Sequence, residues 1–360
     1  MVKLRSTVLN TLSVDINLFT PGWPLLVHRL SELGEETSVT GAVGARTSST
    51  DGELFERAAH GSRAALARLI SRAESGNGSP VAVPPELLER QGRAYVIGLT
   101  GPPGAGKSTL TDRLVGEIRK TGLDVAVLAI DPTSPYSGGA ILGDRVRMGS
   151  HALDPHVYIR SLATRGQLGG LSRVVPQALR ILEAVGFTVV VIETVGVGQV
   201  EIEVASTADT TVVVVNPGWG DSVQANKAGL MEIADVFVIN KADRDGVRET
   251  KRDLASMLDL GADRLWRPPI VETVASSGGG IADLYQALQD HRSFVERSEE
   301  AEAKRRRRRR REFEESLSRY LVERALALPG AEELLERVES DRVDPARVAQ
   351  ELGDRLLSHR

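Results

Sequence analysis

Six short apolar runs, rich in β-branched residues, limit how this chain can fold more than any other feature. Each run is nearly continuous rather than alternating, as expected of parallel strands that are covered on both faces. Helix-like stretches separate several runs, which predicts an α/β fold with a doubly wound, mostly parallel sheet. The predicted strands are 94–100, 124–130, 187–193, 210–216, 235–240 and 269–275, and the predicted helices are 107–121, 171–185, 223–234 and 278–290. We expect the functional residues in the loops after the strands.

The regions on either side of this alternation differ from it in composition. Residues 1–52 show no sustained period and end in a stretch rich in Ser, Thr and Gly, so we expect a tail of low order. Apolar residues at helical spacing predict a helical stretch at 53–75, and a Gly/Pro linker follows it. Together they belong to an N-terminal helical segment at 53–93, ahead of the sheet domain at 94–290. Residues 291–360 carry no strand-like run and are interpreted as a C-terminal helical extension, whose apolar faces favour dimerisation.

Composition says less than the strand pattern, and it bears on which partners the protein can bind and where in the cell it is found. The formal net charge is −4 and cysteine is absent, so a general attraction to nucleic acid is not expected and disulfides are excluded. No stretch approaches the roughly 20 apolar residues that span a bilayer, and we expect a cytoplasmic protein without a membrane partner. The charged run at 304–311 has glutamates close on both sides, which favours a solvated helix with ion pairs over a nucleic-acid arm.

The strongest motif directly follows the first predicted strand and opens the first predicted helix. It fits the pattern G-x-x-x-x-G-K-[ST], and its residues are Gly101, Pro102, Pro103, Gly104, Ala105, Gly106, Lys107 and Ser108. Glycines let backbone N–H groups curl around phosphate oxygens, and the helix N-terminus adds partial positive charge. Lys107 would then bridge the β- and γ-phosphates, and Ser108 would bind Mg²⁺. The motif predicts a site for a nucleoside triphosphate.

A second motif selects the base. Asn240 and Lys241 end a predicted strand, and Asp243 follows two residues later. A carboxylate there can accept from the N1–H and 2-amino groups of guanine, donors that adenine does not offer at those positions. After the next strand, Ala275, Ser276 and Ser277 are placed to contact the guanine oxygen through backbone N–H groups. The predicted ligands are therefore GTP and GDP.

Carboxylates at two further strand ends are candidates for the metal site. Glu193 ends a hydrophobic strand, where P-loop proteins hold Mg²⁺, and the N–H of Gly196 would sense the γ-phosphate. Asp131 ends another strand, and Asp144 lies in the Gly-rich loop after it; turn-forming roles are the alternative for both. The predicted metal ligands are Ser108, Asp131, Asp144 and Glu193, and the predicted catalytic residues are Lys107, Asp131 and Glu193.

Three segments, at 131–148, 193–199 and 216–243, resemble the MeaB/ArgK family, the methylmalonyl-CoA mutase-associated GTPases. The resemblance extends over about residues 54–300 and implies a P-loop NTPase fold with a G domain of the SIMIBI type. It also implies a homodimer formed through the C-terminal helices and an adenosylcobalamin-dependent acyl-CoA mutase as partner, with the adenosylcobalamin belonging to that mutase. The implied role is a chaperone that gates cofactor loading and protects or reactivates the mutase.

The resemblance also assigns roles to particular segments. Gly101–Thr109 matches the P-loop, Asp131 and Asp144 bracket the first switch, and Glu193 and Gly196 belong to the second. The segment 216–229 resembles a third switch, in which Asp221 and Lys227 are implied to link the nucleotide state to the mutase. An aromatic side chain among glycines suits a partner contact at Trp219, and core packing is the alternative.

The expected hydrolysis is slow without a partner. No Gln directly follows the second switch motif, and Gln199 lies three residues beyond Gly196, so we expect a partner to order the switch loops and raise the rate. Three other functions stay open at this point. They are a P-loop kinase of the older ArgK transport interpretation, a metal-insertion or membrane-targeting GTPase, and a scaffold that binds GTP without hydrolysing it.

Overall fold

A seven-stranded parallel sheet lies at the centre of the computed structural model. The structure describes residues 49–75, 81–131, 149–151, 153–163, 174–194, 200–218, 224–260, 265–340 and 343–358. The strands are β1 (Tyr95–Thr100), β2 (Val125–Asp131), β3 (Val157–Ala163), β4 (Val189–Thr194), β5 (Thr210–Val215), β6 (Val236–Asn240) and β7 (Ile270–Thr273). Nearly all of the predicted tail at 1–52 lies outside the described residues.

The strand order is β3-β2-β4-β1-β5-β6-β7, and this order determines where a ligand can bind. β1 lies between β4 and β5. The chain first forms β2, β3 and β4 on one side of β1 and then crosses to form β5, β6 and β7 on the other side. Ligands of such sheets bind at the carboxyl ends of the strands beside this point. Leu99 of β1 pairs with Glu193 of β4, and Thr194 pairs with Ile130 of β2. The ends of these three strands therefore lie together at one edge.

Helices cover both faces of the sheet. In chain order they are α1 (Ser49–Ala59), α2 (Arg63–Ser75), α3 (Lys107–Arg119), α4 (Val174–Val185), α5 (Val200–Thr207), α6 (Gln224–Ile233), α7 (Val247–Leu260), α8 (Ile281–Arg297), α9 (Glu299–Leu326), α10 (Ala331–Glu339) and α11 (Pro345–Ser358). Helices α1, α2, α4 and α5 share a core with one face, and α3 and α8 share a core with the other. Helices α6 and α7 pack on β5 and β6. None of the helices in the described parts of the chain is long and apolar enough to cross a membrane.

The predicted parallel α/β sheet is confirmed, but the sequence did not indicate strand β3. β3 lies at one edge of the sheet that the described strands form, and Arg160 interrupts its apolar pattern. The Arg160 guanidinium donates to Ser71 at 2.9 Å and to Glu74, both on α2. Helices α5 and α7 were also not predicted, and α8 continues to Arg297, beyond the predicted helix end at 290.

The C-terminal helices form a small core of their own. Its buried members are Ala331, Leu334, Val348 and Leu352. The arginine-rich run lies within α9, where Arg310 pairs with Glu314 one turn later, as expected of a solvated helix with ion pairs. Arg305 instead reaches the sheet domain and lies 3.6 Å from Asp209, whose side chain is buried. The run therefore also attaches α9 to the sheet domain.

Candidate nucleotide-binding site

The loop between β1 and α3 needs glycine at two positions for reasons of both conformation and space. Gly101 has φ of 137° and Gly106 has φ of 91°, in a region that residues with a Cβ rarely occupy. A Cβ on Gly101 would lie 2.0 Å from the Val214 carbonyl oxygen, and a Cβ on Gly106 would lie 2.4 Å from Asn240 Nδ2. The loop can therefore hold its turn only because these positions lack side chains.

Lys107 begins α3 and its side chain turns back under the loop. The side chain is buried, and Nζ donates to the carbonyl oxygens of Gly101 at 2.7 Å and Pro102 at 3.0 Å. These two bonds hold the Lys107 ammonium group against the backbone of the loop that would surround the phosphates. Phosphate oxygens are stronger acceptors than neutral carbonyls for such a cation, and can replace them. Pro103, Gly104 and Thr109 are exposed around the same loop, and Ala105 is buried beneath it.

Ser108 and Glu193 meet at the carboxyl edge of the sheet. The Ser108 hydroxyl donates to Glu193 Oε1 at 2.5 Å, and Glu193 is buried at the end of β4. Hydroxyl and carboxylate oxygens are ligands that suit Mg²⁺, which proteins commonly hold through one or two carboxylates together with phosphate oxygens. The two residues fit a Mg²⁺ ion bound with a nucleotide. Asp131 ends β2 at the same edge, one position beyond the pairing of Ile130 with Thr194.

Several predicted switch residues cannot be placed in this geometry. Lys227 belongs to helix α6, and only its backbone position is described. The remaining members of this group lie outside the described residues, and they are Asp144, Gly196, Gln199, Trp219 and Asp221. Their roles stay predictions.

Asn240 joins the phosphate loop to the loops that are predicted to read the base. It is buried at the end of β6, and its Nδ2 donates to the Ala105 carbonyl at 2.8 Å. Its Oδ1 accepts from the Thr273 hydroxyl and from the Ala275 backbone N–H, both at 3.1 Å. One amide side chain thus fixes the relative positions of three loops that are remote in the sequence.

Lys241 and Asp243 follow on the exposed side of this joint. Lys241 has φ of 61°, an uncommon value for a residue with a side chain, and its Nζ donates to the Gly104 carbonyl at 2.6 Å. Its side chain therefore lies over the phosphate loop. Asp243 is exposed two residues later, where its carboxylate is accessible to a base.

The loop after β7 is held by Arg113, a residue that the sequence did not single out. Ala275 is buried, whereas Ser276 and Ser277 are exposed. Arg113 extends from α3 and donates to the carbonyl oxygens of Ala275 at 3.2 Å and Ser276 at 3.0 Å. More than 160 residues separate the partners in the chain, so no local pattern could have indicated the contact. Thr273, which bonds to Asn240, was missed for the same reason.

The parallel sheet and its glycine loop, with Lys107 and Ser108 opening the next helix, define a P-loop NTPase domain. A family model described as "Methylmalonyl Co-A mutase-associated GTPase MeaB" matches residues 66–329. The chain belongs to this family, as its resemblance to MeaB/ArgK proteins predicted. Fold and family together make the protein a P-loop nucleotide hydrolase.

Comparison with individual proteins agrees with this family. A relative from Pyrococcus abyssi that is described as a GTPase is 49% identical over 304 residues, which cover 82% of this chain and 94% of the relative. The mouse protein "Methylmalonic aciduria type A homolog, mitochondrial" is 36% identical over 270 residues, covering 70% and 65% of the two chains. A crystal structure described as LAO/AO transport system kinase has a TM-score of 0.60 at 24% identity, covering 86% of this chain and 99% of that one. This last likeness shows the fold alone.

Proposed function

We propose that this protein binds GTP with Mg²⁺ and hydrolyses it to GDP and phosphate at the carboxyl edge of the sheet. The observation that carries the proposal is the position of Asn240, whose side chain bonds to the phosphate loop and to the loop after β7. Asp243 lies exposed beside this joint, so a nucleotide with its phosphates at Lys107 would bring its base toward that carboxylate. A carboxylate at this position favours guanine over adenine.

Hydrolysis at this site depends on positioning and electrostatics. Water adds to the γ-phosphorus as the bond to the β–γ bridging oxygen breaks, and negative charge moves onto that oxygen. Lys107 and the backbone N–H groups of the loop stabilise this charge. Ser108 and Glu193 would hold Mg²⁺, which supplies further positive charge beside the β- and γ-phosphates. Asp131 and Asp144 remain candidates for the metal site.

We further propose that the nucleotide state controls an acyl-CoA mutase such as methylmalonyl-CoA mutase. The description of the family names this mutase, and the description of the mouse relative names a disorder of methylmalonic acid. The proposed role is to gate the loading of adenosylcobalamin into the mutase and to protect or reactivate it. Gln199, Trp219, Asp221 and Lys227 are the proposed residues for relaying the nucleotide state. A cytoplasmic location stays a prediction.

The C-terminal helices support the proposal of a homodimer. Phe313, Leu317 and Tyr320 are spaced four and three residues apart on α9, so they lie on one side of the helix. All three are exposed, with Phe313 at 63% and Tyr320 at 58%. A row of exposed apolar side chains is typical of a surface that another protein covers. A second copy of the chain is the proposed occupant.

The central test measures whether candidate mutases stimulate GTP hydrolysis. The rate of phosphate release would be measured for the protein alone and with methylmalonyl-CoA mutase or a related acyl-CoA mutase. We expect a slow rate alone and an increase of about tenfold or more with the correct partner, since ordered switch groups stabilise charge in the transition state. The Lys107→Ala variant with the same mutase serves as the control for contaminating activity. An unchanged rate with every mutase would contradict the proposed partner but not GTP hydrolysis itself.

A further inference from the structure

The Arg113 guanidinium bonds to two consecutive peptide groups of the loop after β7. Nε–H donates to the Ala275 carbonyl at 3.2 Å, and a terminal N–H donates to the Ser276 carbonyl at 3.0 Å. Arg113 lies on α3, less than two turns after Lys107, so the helix that begins at the phosphate loop also carries this contact. Because the guanidinium is planar and rigid, two such bonds restrict both the position and the orientation of the loop.

The N–H groups of the same loop differ in what they bond to. The Ala275 N–H donates to Asn240 Oδ1 at 3.1 Å, and the Ser277 N–H donates to the Val274 carbonyl at 3.1 Å. In the part of the chain that the structure describes, the Ser276 N–H has no such acceptor. The sequence predicted that backbone N–H groups of Ala275, Ser276 and Ser277 could contact the guanine oxygen. Of these three, the N–H of Ser276 is the one that is available to a ligand.

The peptide that carries this N–H is the one that Arg113 holds. The Ala275 carbonyl and the Ser276 N–H belong to a single trans peptide group, in which they point in opposite directions. A bond from Arg113 to the carbonyl therefore fixes the direction in which the N–H points, away from Arg113. A cation on the carbonyl oxygen also polarises the peptide and strengthens the N–H as a donor.

The paired ends of β6 and β7 place the loop that carries Ser276 beside the loop that carries Asp243, the carboxylate proposed to read the base. Asn240 of β6 pairs with Thr273 of β7 at the ends of the two strands. Asp243 and Ser276 each lie three residues beyond this pair, on neighbouring exposed loops. The N1–H and the six-oxygen are adjacent on the edge of guanine, so a carboxylate and an N–H donor on neighbouring loops suit that edge.

We propose that Arg113 is a positioning residue for base recognition, which orients the Ser276 N–H toward the six-oxygen of guanine. The proposal rests on the proposed function, because it requires a guanine base beside Asp243. Arg113 acts through the loop and not through direct contact with the nucleotide. The phosphate-loop helix and the base site are thereby joined by a side chain as well as by Asn240.

The test compares three nucleotides on wild-type protein, Arg113→Met and a control. GDP, 6-thio-GDP and IDP would be titrated calorimetrically at pH 7. 6-Thio-GDP keeps N1–H and the 2-amino group but carries sulfur, a weaker acceptor, at position six; IDP lacks the 2-amino group that Asp243 would read. The control is Lys120→Met, because Lys120 is an exposed cation directly after the same helix, bonded to Glu117 at 2.6 Å.

Loss of one oriented hydrogen bond predicts a specific pattern of affinities. Wild-type protein is expected to bind GDP about fivefold to tenfold more tightly than 6-thio-GDP. Arg113→Met should lower the affinity for GDP by about tenfold and remove most of the preference for GDP over 6-thio-GDP. The ratio of GDP to IDP affinity should stay as in wild type, because it reports on Asp243. Lys120→Met should match wild type with all three nucleotides. Arg113→Lys, which keeps the charge on a single donor nitrogen and lacks the planar fork, should give intermediate values and serves as the test variant if Arg113→Met does not fold.

The opposing outcomes are distinct. A GDP to 6-thio-GDP ratio that stays at its wild-type value in the Arg113 variants overturns the proposal, whatever the absolute affinities. Equal weakening of all three nucleotides together with a lower melting temperature also overturns it, since Arg113 would then only hold the loop to α3. If wild-type protein does not prefer guanine nucleotides, the proposed function fails and this inference fails with it. If wild-type protein binds GDP tightly but the ratio of GDP to 6-thio-GDP affinity is unchanged in the Arg113 variants, this inference is wrong and the proposed function stands.

Discussion

Polar side chains cluster at both ends of the central sheet, but only one cluster leaves groups available to a ligand. At the amino end, Tyr95 begins β1, Thr210 begins β5 and His291 reaches them from α8; all three are buried. At the carboxyl end, Asn240 is buried in the same way, yet Asp243 beside it is exposed. The two ends use similar residue types, so burial and pairing distinguish a structural cluster from a binding site.

The amino-end cluster is a chain of hydrogen bonds whose directions follow from its geometry. The Tyr95 hydroxyl lies 3.0 Å from the Leu288 carbonyl, which can only accept, so Tyr95 donates there. Thr210 must then donate to the Tyr95 oxygen at 2.6 Å, and His291 Nδ1–H must donate to Thr210 at 2.7 Å. Burial raises the pKa of Tyr95 well above its usual range, which keeps the donated proton in place.

The carboxyl-end cluster has the opposite character. Its internal bonds tie loops to one another through Asn240, Lys241 and Arg113, and the groups suited to a ligand stand outside these bonds. Buried polar groups that bond to one another stabilise a fold, whereas exposed groups on a rigid frame can exchange water for a ligand. Three substitutions test this distinction, and they are ordered by the free energy that each is expected to change.

The largest effect is expected at the phosphate loop. Lys107→Ala removes a cation that would bond to two phosphate groups, and GTP binding should weaken by about 3–5 kcal/mol. The circular dichroism spectrum should stay that of wild type, because Lys107 is not a member of the hydrophobic cores on either face of the sheet. Lys251→Ala is the matched control, since Lys251 is a surface lysine bonded to Glu272. Nucleotide titration makes the measurement, and undiminished GTP affinity in Lys107→Ala would refute the assigned role.

A somewhat smaller effect is expected at Asp243, the carboxylate that is proposed to read the base. Asp243→Asn replaces an acceptor with a donor, which should shift the preference from GTP toward XTP by about 3 kcal/mol. Competition between the two nucleotides measures the shift. Asp245→Asn, an exposed aspartate two residues away, should leave the preference unchanged. If Asp243→Asn keeps the wild-type preference for GTP, Asp243 does not read the base.

The smallest effect is expected at the amino end, and it should appear in stability instead of binding. Tyr95→Phe leaves the Leu288 carbonyl and the Thr210 hydroxyl without their partner, so the free energy of unfolding should fall by about 1–2 kcal/mol. Urea denaturation measures this loss, and GTP affinity should change by less than about twofold. Tyr285→Phe is the control, because the described structure shows no hydrogen bond from that hydroxyl. A large loss of GTP affinity in Tyr95→Phe would contradict the distinction between a structural cluster at the amino end and a binding site at the carboxyl end.

Prediction from sequence succeeded where the signal is local. The phosphate motif at 101–108 and the six apolar runs each occupy a short stretch whose composition is enough to indicate the structure. Prediction failed at β3, which lies at an edge of the described sheet. An edge strand is less fully covered than a central strand, so its sequence can include a charged residue such as Arg160 within the apolar run. Prediction also failed at Arg113 and at the chain from Tyr95 to His291, where the partners are far apart in the sequence.

Residues that are close together in the chain were enough to indicate the class of fold, the phosphate loop and the family, and the guanine-reading role of Asn240 to Asp243 stays a prediction. The order of the strands, and therefore which loops meet, is visible only in the folded molecule. That order brings Asn240 to Ala105 and Arg113 to Ser276, and it leaves the Ser276 N–H as the donor available to a ligand. The physical reason is that these bonds depend on how the parallel strands are arranged side by side, which no local pattern encodes.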